Sequence, residues 1–365
     1  MPDTRIPVSL ITGFLGSGKT TLLNHLMPLP QMSKALVIIN EFGSIGIDHD
    51  LVAHSNEDDT IVEMANGCLC CTIKGDLQKT LNEAPWRFAR DGQRWFDRVL
   101  IETTGLADPA PIIHTVMADD KLKALYQLDA VIALVDGYNG NSTLDIQVEA
   151  VKQAAVADQL LISKTDIADA ADIARLKARL RKLNPAAPMH LLPGETDDLA
   201  RLFNGPTFNP KLKHEDVQAW LAAEAYKGGH HHHHESHDHS HDHDHAHDIN
   251  RHDERIRSVC LTIEEPLPAQ VFDSWLEMLV AFNGVNVLRV KGIIKLAELD
   301  KPLVIHGVQH IWHPPEILEK WPGDDRRSRI VFILRDLEET ELRDMLTFVQ
   351  NKSAKTSVVG LDSVG

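Results

Sequence analysis

Residues 13–20 read Gly13-Phe14-Leu15-Gly16-Ser17-Gly18-Lys19-Thr20. An apolar run, Pro7–Thr12, precedes them, and a helical stretch that Pro28 and Pro30 close follows. The pattern G-x-x-x-x-G-K-[ST] between a strand and a helix specifies a phosphate-binding loop. Glycines let backbone N–H groups turn inward on phosphates, and the helix start adds the positive end of its dipole. Gly13, Gly16, Ser17, Gly18, Lys19, Thr20 and Thr21 are therefore the expected nucleotide-binding residues, with Lys19 on the outer phosphates and the Thr20 hydroxyl on Mg²⁺.

A loop of this kind needs a parallel sheet around it. Short β-branched runs alternate with longer helical stretches from Ile6 to about Met189. The strands marked are Pro7–Thr12, Ala35–Asn40, Arg98–Glu102, Ala130–Asp136, Gln159–Ser163 and Met189–Leu192, near-continuous apolar runs such as AVIALVD. Runs apolar on both faces are expected where helices cover both sides of a sheet. The fold class is α/β: a nucleotide-binding domain with a mainly parallel sheet flanked by helices, plus a small α/β C-terminal domain. A chain of 365 residues is long enough for two cores. The expected division is 1–210 for the first domain, 211–254 for a linker, 255–350 for the second domain and 351–365 for a disordered tail. In the second domain Ser258–Ile263, Val285–Lys295, Leu303–Ile311 and Arg329–Leu334 look like strands, and Ala269–Phe282 and Glu338–Gln350 like helices.

Two further elements belong with the loop. Arg98-Val99-Leu100-Ile101-Glu102-Thr103-Thr104-Gly105 supplies a carboxylate at a strand end and a glycine suited to sensing a γ-phosphate. Glu102 is the expected Mg²⁺ partner of Thr20 and, with Lys19 and Glu41, one of three catalytic candidates. Ser163-Lys164-Thr165-Asp166 ends another strand and is similar to the N-K-x-D base-recognition element, so Lys164 and Asp166 are assigned to the base. The Asp166 carboxylate would accept from guanine N1–H and the N2 amino group, which adenine lacks, and GTP is the nucleotide expected. Ser163 stands where asparagine is usual. No glutamine follows the Glu102 strand, so the water-activating group is unassigned and slow hydrolysis is expected.

The four cysteines include three in one pentapeptide, Gly67-Cys68-Leu69-Cys70-Cys71. That clustering excludes a distributed disulfide framework and favours a metal. Three thiolates in four positions suit a soft or borderline ion, Zn²⁺ first, with Co²⁺ or Ni²⁺ as alternatives. No second C-x-x-C closes a four-sulfur site, so the fourth position falls to a carboxylate, a histidine or water, with Glu41 the candidate in reach. A buried thiol cluster and a redox pair are the alternative readings. Cys260, alone in a strand pattern, reads as a core residue, as do His306, His310 and His313, whose spacings share no strand face.

Gly228 and Gly229 lead into a tract in which 11 of the 18 residues 230–247 are histidine. His230, His231, His232, His233, His234, His237, His239, His241, His243, His245 and His247 alternate in part with aspartate, internally rather than at a terminus, which argues against an expression tag. Such a tract offers many interchangeable sites for divalent ions, weakening as imidazoles protonate near pH ~6.5. It is read as an auxiliary metal reservoir.

Composition narrows the partners. Against 37 Lys+Arg stand 53 Asp+Glu, a net charge of −16, which disfavours nucleic acid and anionic membranes. No basic amino-terminal region and no apolar run of about 18 residues is present, so a cytoplasmic location is expected.

The strings GFLGSGKTTLLNHL, NEFG at Asn40–Gly43, GCLCC, ETTGLADP at Glu102–Pro109 and SKTD, followed by RVKGIIKL, VIHGVQHIWHPP and RRSRIVFI, together resemble the CobW-like family of P-loop GTPases and its C-terminal domain. The resemblance implies a GTPase of low intrinsic turnover that binds zinc or a related ion at Cys68, Cys70 and Cys71 and delivers it to a client protein. Branches of the family differ in metal and client, cobalt for cobalamin synthesis being one alternative. Because the cysteines lie between the Glu41 and Glu102 segments, nucleotide state is expected to bias the thiolate site, and metal to bias nucleotide affinity by the same factor. A nucleotide- or metal-dependent homo-oligomer, a metal buffer with a weak GTPase core, and a small-molecule kinase or synthase remain alternatives.

Overall fold

The computed structural model describes residues 5–41, 61–65, 72–193, 255–312 and 315–359. The first part of the chain runs β1 (Ile6–Gly13), α1 (Lys19–Leu26), β2 (Ala35–Glu41), β3 (Ile61–Ala65), α2 (Thr72–Arg87), β4 (Ala89–Arg90), β5 (Gln93–Arg94) and β6 (Arg98–Glu102). It continues through α3 (Ala110–Ala118), α4 (Asp120–Leu125), β7 (Tyr126–Asp136), α5 (Gly140–Ile146), α6 (Val148–Val156), β8 (Gln159–Ser163), α7 (Ala170–Leu183) and β9 (Met189–Leu191). Seven strands form one sheet in the order β3-β2-β6-β1-β7-β8-β9, every pairing parallel. β1, apolar on both sides, lies inside it, and the loop that follows β1 sits at the carboxyl edge where ligands of such sheets bind.

The helices bury their apolar stripes on the two faces. In α7 the residues Ile173, Leu176, Leu180 and Leu183 recur at helical spacing and are buried. Asp169 caps this helix by accepting from Ala171 N at 2.9 Å, and Asn184-Pro185 stops it. Leu22, Leu23 and Leu26 of α1 pack under the opposite face, against Ile11, Val37 and Leu134.

The sequence reading missed β3. Ile61-Val62-Glu63-Met64-Ala65 is short and interrupted by an acid, and it forms the sheet's outer strand, where packing demands less apolar character.

The second part comprises β10 (Ile256–Ile263), α8 (Ala269–Asn283), β11 (Val287–Ile294), β12 (Leu303–Val308), β13 (Ile311–Trp312), β14 (Glu316–Ile317), β15 (Ser328–Arg335) and α9 (Glu339–Val359). Its sheet is antiparallel, β10-β15-β11-β12-β13 with β14 on β12. Helices α8 and α9 cover one face around Trp275, which packs edge-on to Phe332 at 6.1 Å. Two expectations need correction here. Leu303–Ile311 is not one strand: Gln309, at φ +54°, turns the chain back and Ile311–Trp312 pairs with Gly307 and Val308. The expected tail from Asn351 is helical backbone as far as Val359, because no glycine or proline interrupts it before Gly360.

The other face of this sheet meets the first domain. Ile256, Leu288, Val308 and Ile333 join the first domain's hydrophobic core, and Ala186 packs beside Ile293 and Val304. Among the described residues no helix is long and apolar enough to cross a membrane.

Candidate nucleotide site

The phosphate loop closes on itself as the sequence motif requires. Ser17 N donates to Phe14 O at 3.1 Å, and Gly18 stands at φ +92°, a conformation a side chain would strain. No side chain caps α1, unlike α4 and α7, so the N–H groups of its first turn remain directed at whatever the loop holds. Lys19 is 8% exposed and its ammonium donates to Gly13 O at 3.0 Å and Phe14 O at 3.4 Å, which holds the cation over the loop. Gly13 closes β1, Gly16 lies in the turn that follows, and Thr21, in the first turn of α1, is exposed.

Parallel pairing of β1 and β6 sets Ile11 beside Glu102 and so brings the second motif to the first. Thr20 Oγ1 donates to Glu102 Oε1 at 3.3 Å, with Glu102 2% exposed. A hydroxyl and a buried carboxylate beside a phosphate loop are the hard oxygen donors that Mg²⁺ takes, so the residues present fit that ion. Thr103 Oγ1 donates to Thr12 Oγ1 at 2.9 Å and ties the two strand ends together. Beyond them Gly105 abuts the loop. A Cβ on it would lie 2.5 Å from Leu15 N and 2.7 Å from Leu15 Cα, so only glycine fits this approach.

The third motif also arrives. Ser163 Oγ donates to Ser17 O at 2.7 Å, linking the base-recognition turn to the phosphate loop. The hydroxyl thus supplies a structural contact at the position where asparagine is usual. Lys164 adopts φ +55° and its ammonium donates to Asp136 Oδ2 at 2.7 Å, while Asp136 Oδ1 accepts from Tyr138 N and Asn139 N at 2.8 and 3.0 Å. Burial pushes the Asp136 carboxyl up, but the Lys164 hydrogen bond and the two N–H groups outweigh it and hold the group below the usual carboxylate range. Asp166 is exposed at the tip. Thr165 Oγ1 donates to Leu192 O at 2.6 Å, which fastens the turn to the segment after β9.

Asp136 was not singled out by sequence reasoning, although the run AVIALVD ends on it. A carboxylate closing an apolar strand next to the base-recognition strand was the available signal.

The metal assignments fall elsewhere. Cys68, Cys70 and Cys71 lie outside the described residues, as do His313 and the histidines of 230–247. Glu41 is described as backbone only, ending β2 next to β6. The strand before the cysteines, β3, ends at Ala65 on the same edge as the phosphate loop. Among the described residues no group of three or more His, Cys, Asp or Glu side chains could hold a metal. His306 sits in β12 and His310 in the following turn, its ring 5.3 Å from that of His114. Cys260 is half-buried, and burial pushes its thiol up, as fits a packed residue.

Comparison with known proteins agrees with this geometry. Residues 7–191 match the family model CobW/HypB/UreG, nucleotide-binding domain, and residues 256–349 match the cobalamin synthesis protein cobW C-terminal domain. The zinc chaperone YjiA of Escherichia coli (strain K12) is 32% identical over 342 residues, 93% of this chain and 96% of that protein. The zinc-regulated GTPase metalloprotein activator 1 of Saccharomyces cerevisiae is 28% identical over 392 residues, 94% of this chain and 83% of its own length. The crystal structure of Zn(II)-bound YjiA GTPase from E. coli superposes with a TM-score of 0.67 at 26% identity, covering 95% of this chain and 99% of that one. With both family models matched in order along the chain and a relative 32% identical over 93% of it, the chain belongs to the CobW/HypB/UreG family in its CobW form.

Proposed function

We propose that the chain hydrolyses GTP and uses the nucleotide cycle to bind zinc at Cys68, Cys70 and Cys71 and to hand it to a client protein. The observation that carries this reading is the convergence of three motifs on one sheet edge: Lys19 in its loop, Thr20 on Glu102, and the Ser163–Asp166 turn pinned to Ser17. Relatives named as zinc chaperones and zinc-regulated GTPases support zinc over cobalt.

The loop and the start of α1 bind the phosphates, and Lys19 turns its ammonium from two carbonyls to the anion. Asp166 selects guanine, and Asp136 holds Lys164 so that the turn keeps its left-handed form. Mg²⁺, held by Thr20 and Glu102, would neutralise charge on the phosphate oxygens when bound. Gly105, in contact with Leu15, places its backbone beside the outer phosphates and reports whether the last one is there. The strand ends of β2 and β3 on this same edge connect that report to the cysteine segment. The His-rich tract concentrates metal nearby, and the client docks in the cytoplasm, away from membranes and nucleic acid.

The test is GTP hydrolysis by metal-stripped protein with and without stoichiometric Zn²⁺, beside a variant with Cys68, Cys70 and Cys71 all changed to serine. Zinc is expected to change the rate or the GTP affinity only when the cysteines are present. Equal rates in all four cases would uncouple the cysteines from the nucleotide and sink the chaperone cycle.

A further inference from the structure

Helix α6 bears on the turn after β6 through one side chain. Gln153, 1% exposed, donates its amide to Gly105 O at 3.2 Å and to Ala107 O at 3.0 Å. Its neighbour Lys152 pairs with Asp108 at 3.0 Å. The turn after β6 is thus gripped from both sides, by Leu15 of the phosphate loop against Gly105 and by Gln153 on its carbonyls. Elsewhere α6 and the loop enclose only a small pocket of about 20 Å³, whose lining includes Ser17, Asp136 and Gln153.

The far end of the same helix is held by the second domain. Arg289 donates to Val156 O, the last carbonyl of α6, and to Asp158 two residues on. Lys291 reaches the same carboxylate at 3.0 Å, and Val131 N donates to its other oxygen at 3.0 Å. Asp158 and Arg289 are almost wholly enclosed, with side chains 0% and 5% exposed. A register shift in β11 between Val287 and Arg289 makes this possible. It turns Leu288 and Arg289 toward the first domain in succession, while Val287 and Val290 keep to the second domain's own core.

We propose that α6 couples the second domain to the nucleotide switch, with Gln153 as the positioning residue that sets the Gly105–Ala107 turn and with Arg289 and Lys291 fixing the end of the helix that carries it. The proposal rests on the GTPase reading of the site. Two amide hydrogen bonds to one turn hold it as a unit, and losing them strands the buried Gly105 carbonyl and frees the half-buried Ala107 one. On the GTPase reading the turn lies at the terminal phosphate, so its position matters to GTP and little to GDP. A partner that shifts the second domain would then alter GTP preference without touching the nucleotide, and bound GTP would alter the second domain in return.

The experiment compares the full chain with Gln153→Leu and Lys291→Met, titrating GDP and a non-hydrolysable GTP analogue and measuring kcat. Gln153→Leu is expected to weaken the analogue roughly tenfold relative to GDP, about 1.4 kcal/mol. Lys291→Met, distant from the nucleotide and leaving the Arg289–Asp158 pair in place, is expected to move the same ratio in the same direction by less. The double variant should match Gln153→Leu alone, because one link is cut twice. An unchanged ratio in both variants, or equal weakening of GDP and analogue, overturns the proposal. If Gln153→Leu does not fold, the ratio in Lys291→Met decides alone. Wild-type protein that binds neither nucleotide would overturn the GTPase reading itself, and this proposal with it.

Discussion

Lys164 holds a left-handed backbone conformation that a lysine rarely adopts, and it does so with its ammonium tied to Asp136. The pair is partly open to water, Lys164 being 37% exposed, so its worth is discounted accordingly. Asp136→Asn keeps the acceptor for Tyr138 N and Asn139 N but removes the charge opposite Lys164. GDP affinity is expected to fall roughly 3- to 10-fold, with the fold intact, by titration calorimetry. Because the folded-state pKa of Asp136 is depressed, its contribution is complete above the unfolded carboxylate value of about 3.9 and disappears only as pH falls through the folded value. Nucleotide affinity should therefore not lose this component anywhere near neutral pH. At this scale the sequence was most legible where chemistry needs a fixed residue type, as at Lys19, Thr20 and Glu102. It was silent about Gln153, because a glutamine inside VEAVKQAAV has the composition of any helix, and only tertiary packing reveals what its amide meets.

Between elements, the approach of β6's exit to the phosphate loop decides whether the two can work together. Gly105 touches Leu15 backbone, and backbone cannot swing aside as a flexible side chain can. Gly105→Ala is expected to lower kcat at least tenfold while GDP binding changes less than threefold, by single-turnover hydrolysis and fluorescent-nucleotide titration. Equal losses in both would mean that the loop itself had been displaced. Strands with continuous apolar runs, such as β7, were readable because burial on both faces leaves no other composition open to them. β3 and the break at Gln309 were not. The first is too short and mixed to show a period, and the second turns on a residue that needs no glycine to reverse the chain.

For the molecule as a whole, the seam between domains is built around one buried carboxylate and two cations. Burial alone would raise the Asp158 pKa, but the Arg289 and Lys291 charges overcome it and hold the group well below the usual carboxylate range. Asp158→Asn leaves Arg289 enclosed without its counter-ion, and an expected loss of about 3–5 kcal/mol would appear as a lower Tm or as separate unfolding of the two domains by calorimetry. The sign follows from the depressed pKa: the contribution is present above about pH 4 and lost on acidification below it. Wild type should therefore lose more stability than the asparagine variant between about pH 7 and about pH 3. Sequence reading expected two domains, the second over 255–350. It did not anticipate their fusion, since Arg289 and Lys291 carry no mark that distinguishes a seam from a solvated strand face.

That Ile256, Leu288, Val308 and Ile333 complete the first domain's core has a bearing on how the chain is made. On the ribosome the parallel sheet can finish once Leu191 has emerged, yet the face that awaits those four side chains stays wet until Arg335 is synthesised. At roughly 5–20 residues per second that interval lasts about 7–29 s, long beside the collapse of either domain. Through it, translation speed across the whole stretch from Leu191 to Arg335, the histidine tract included, sets how long a sticky half-core is presented to the cell.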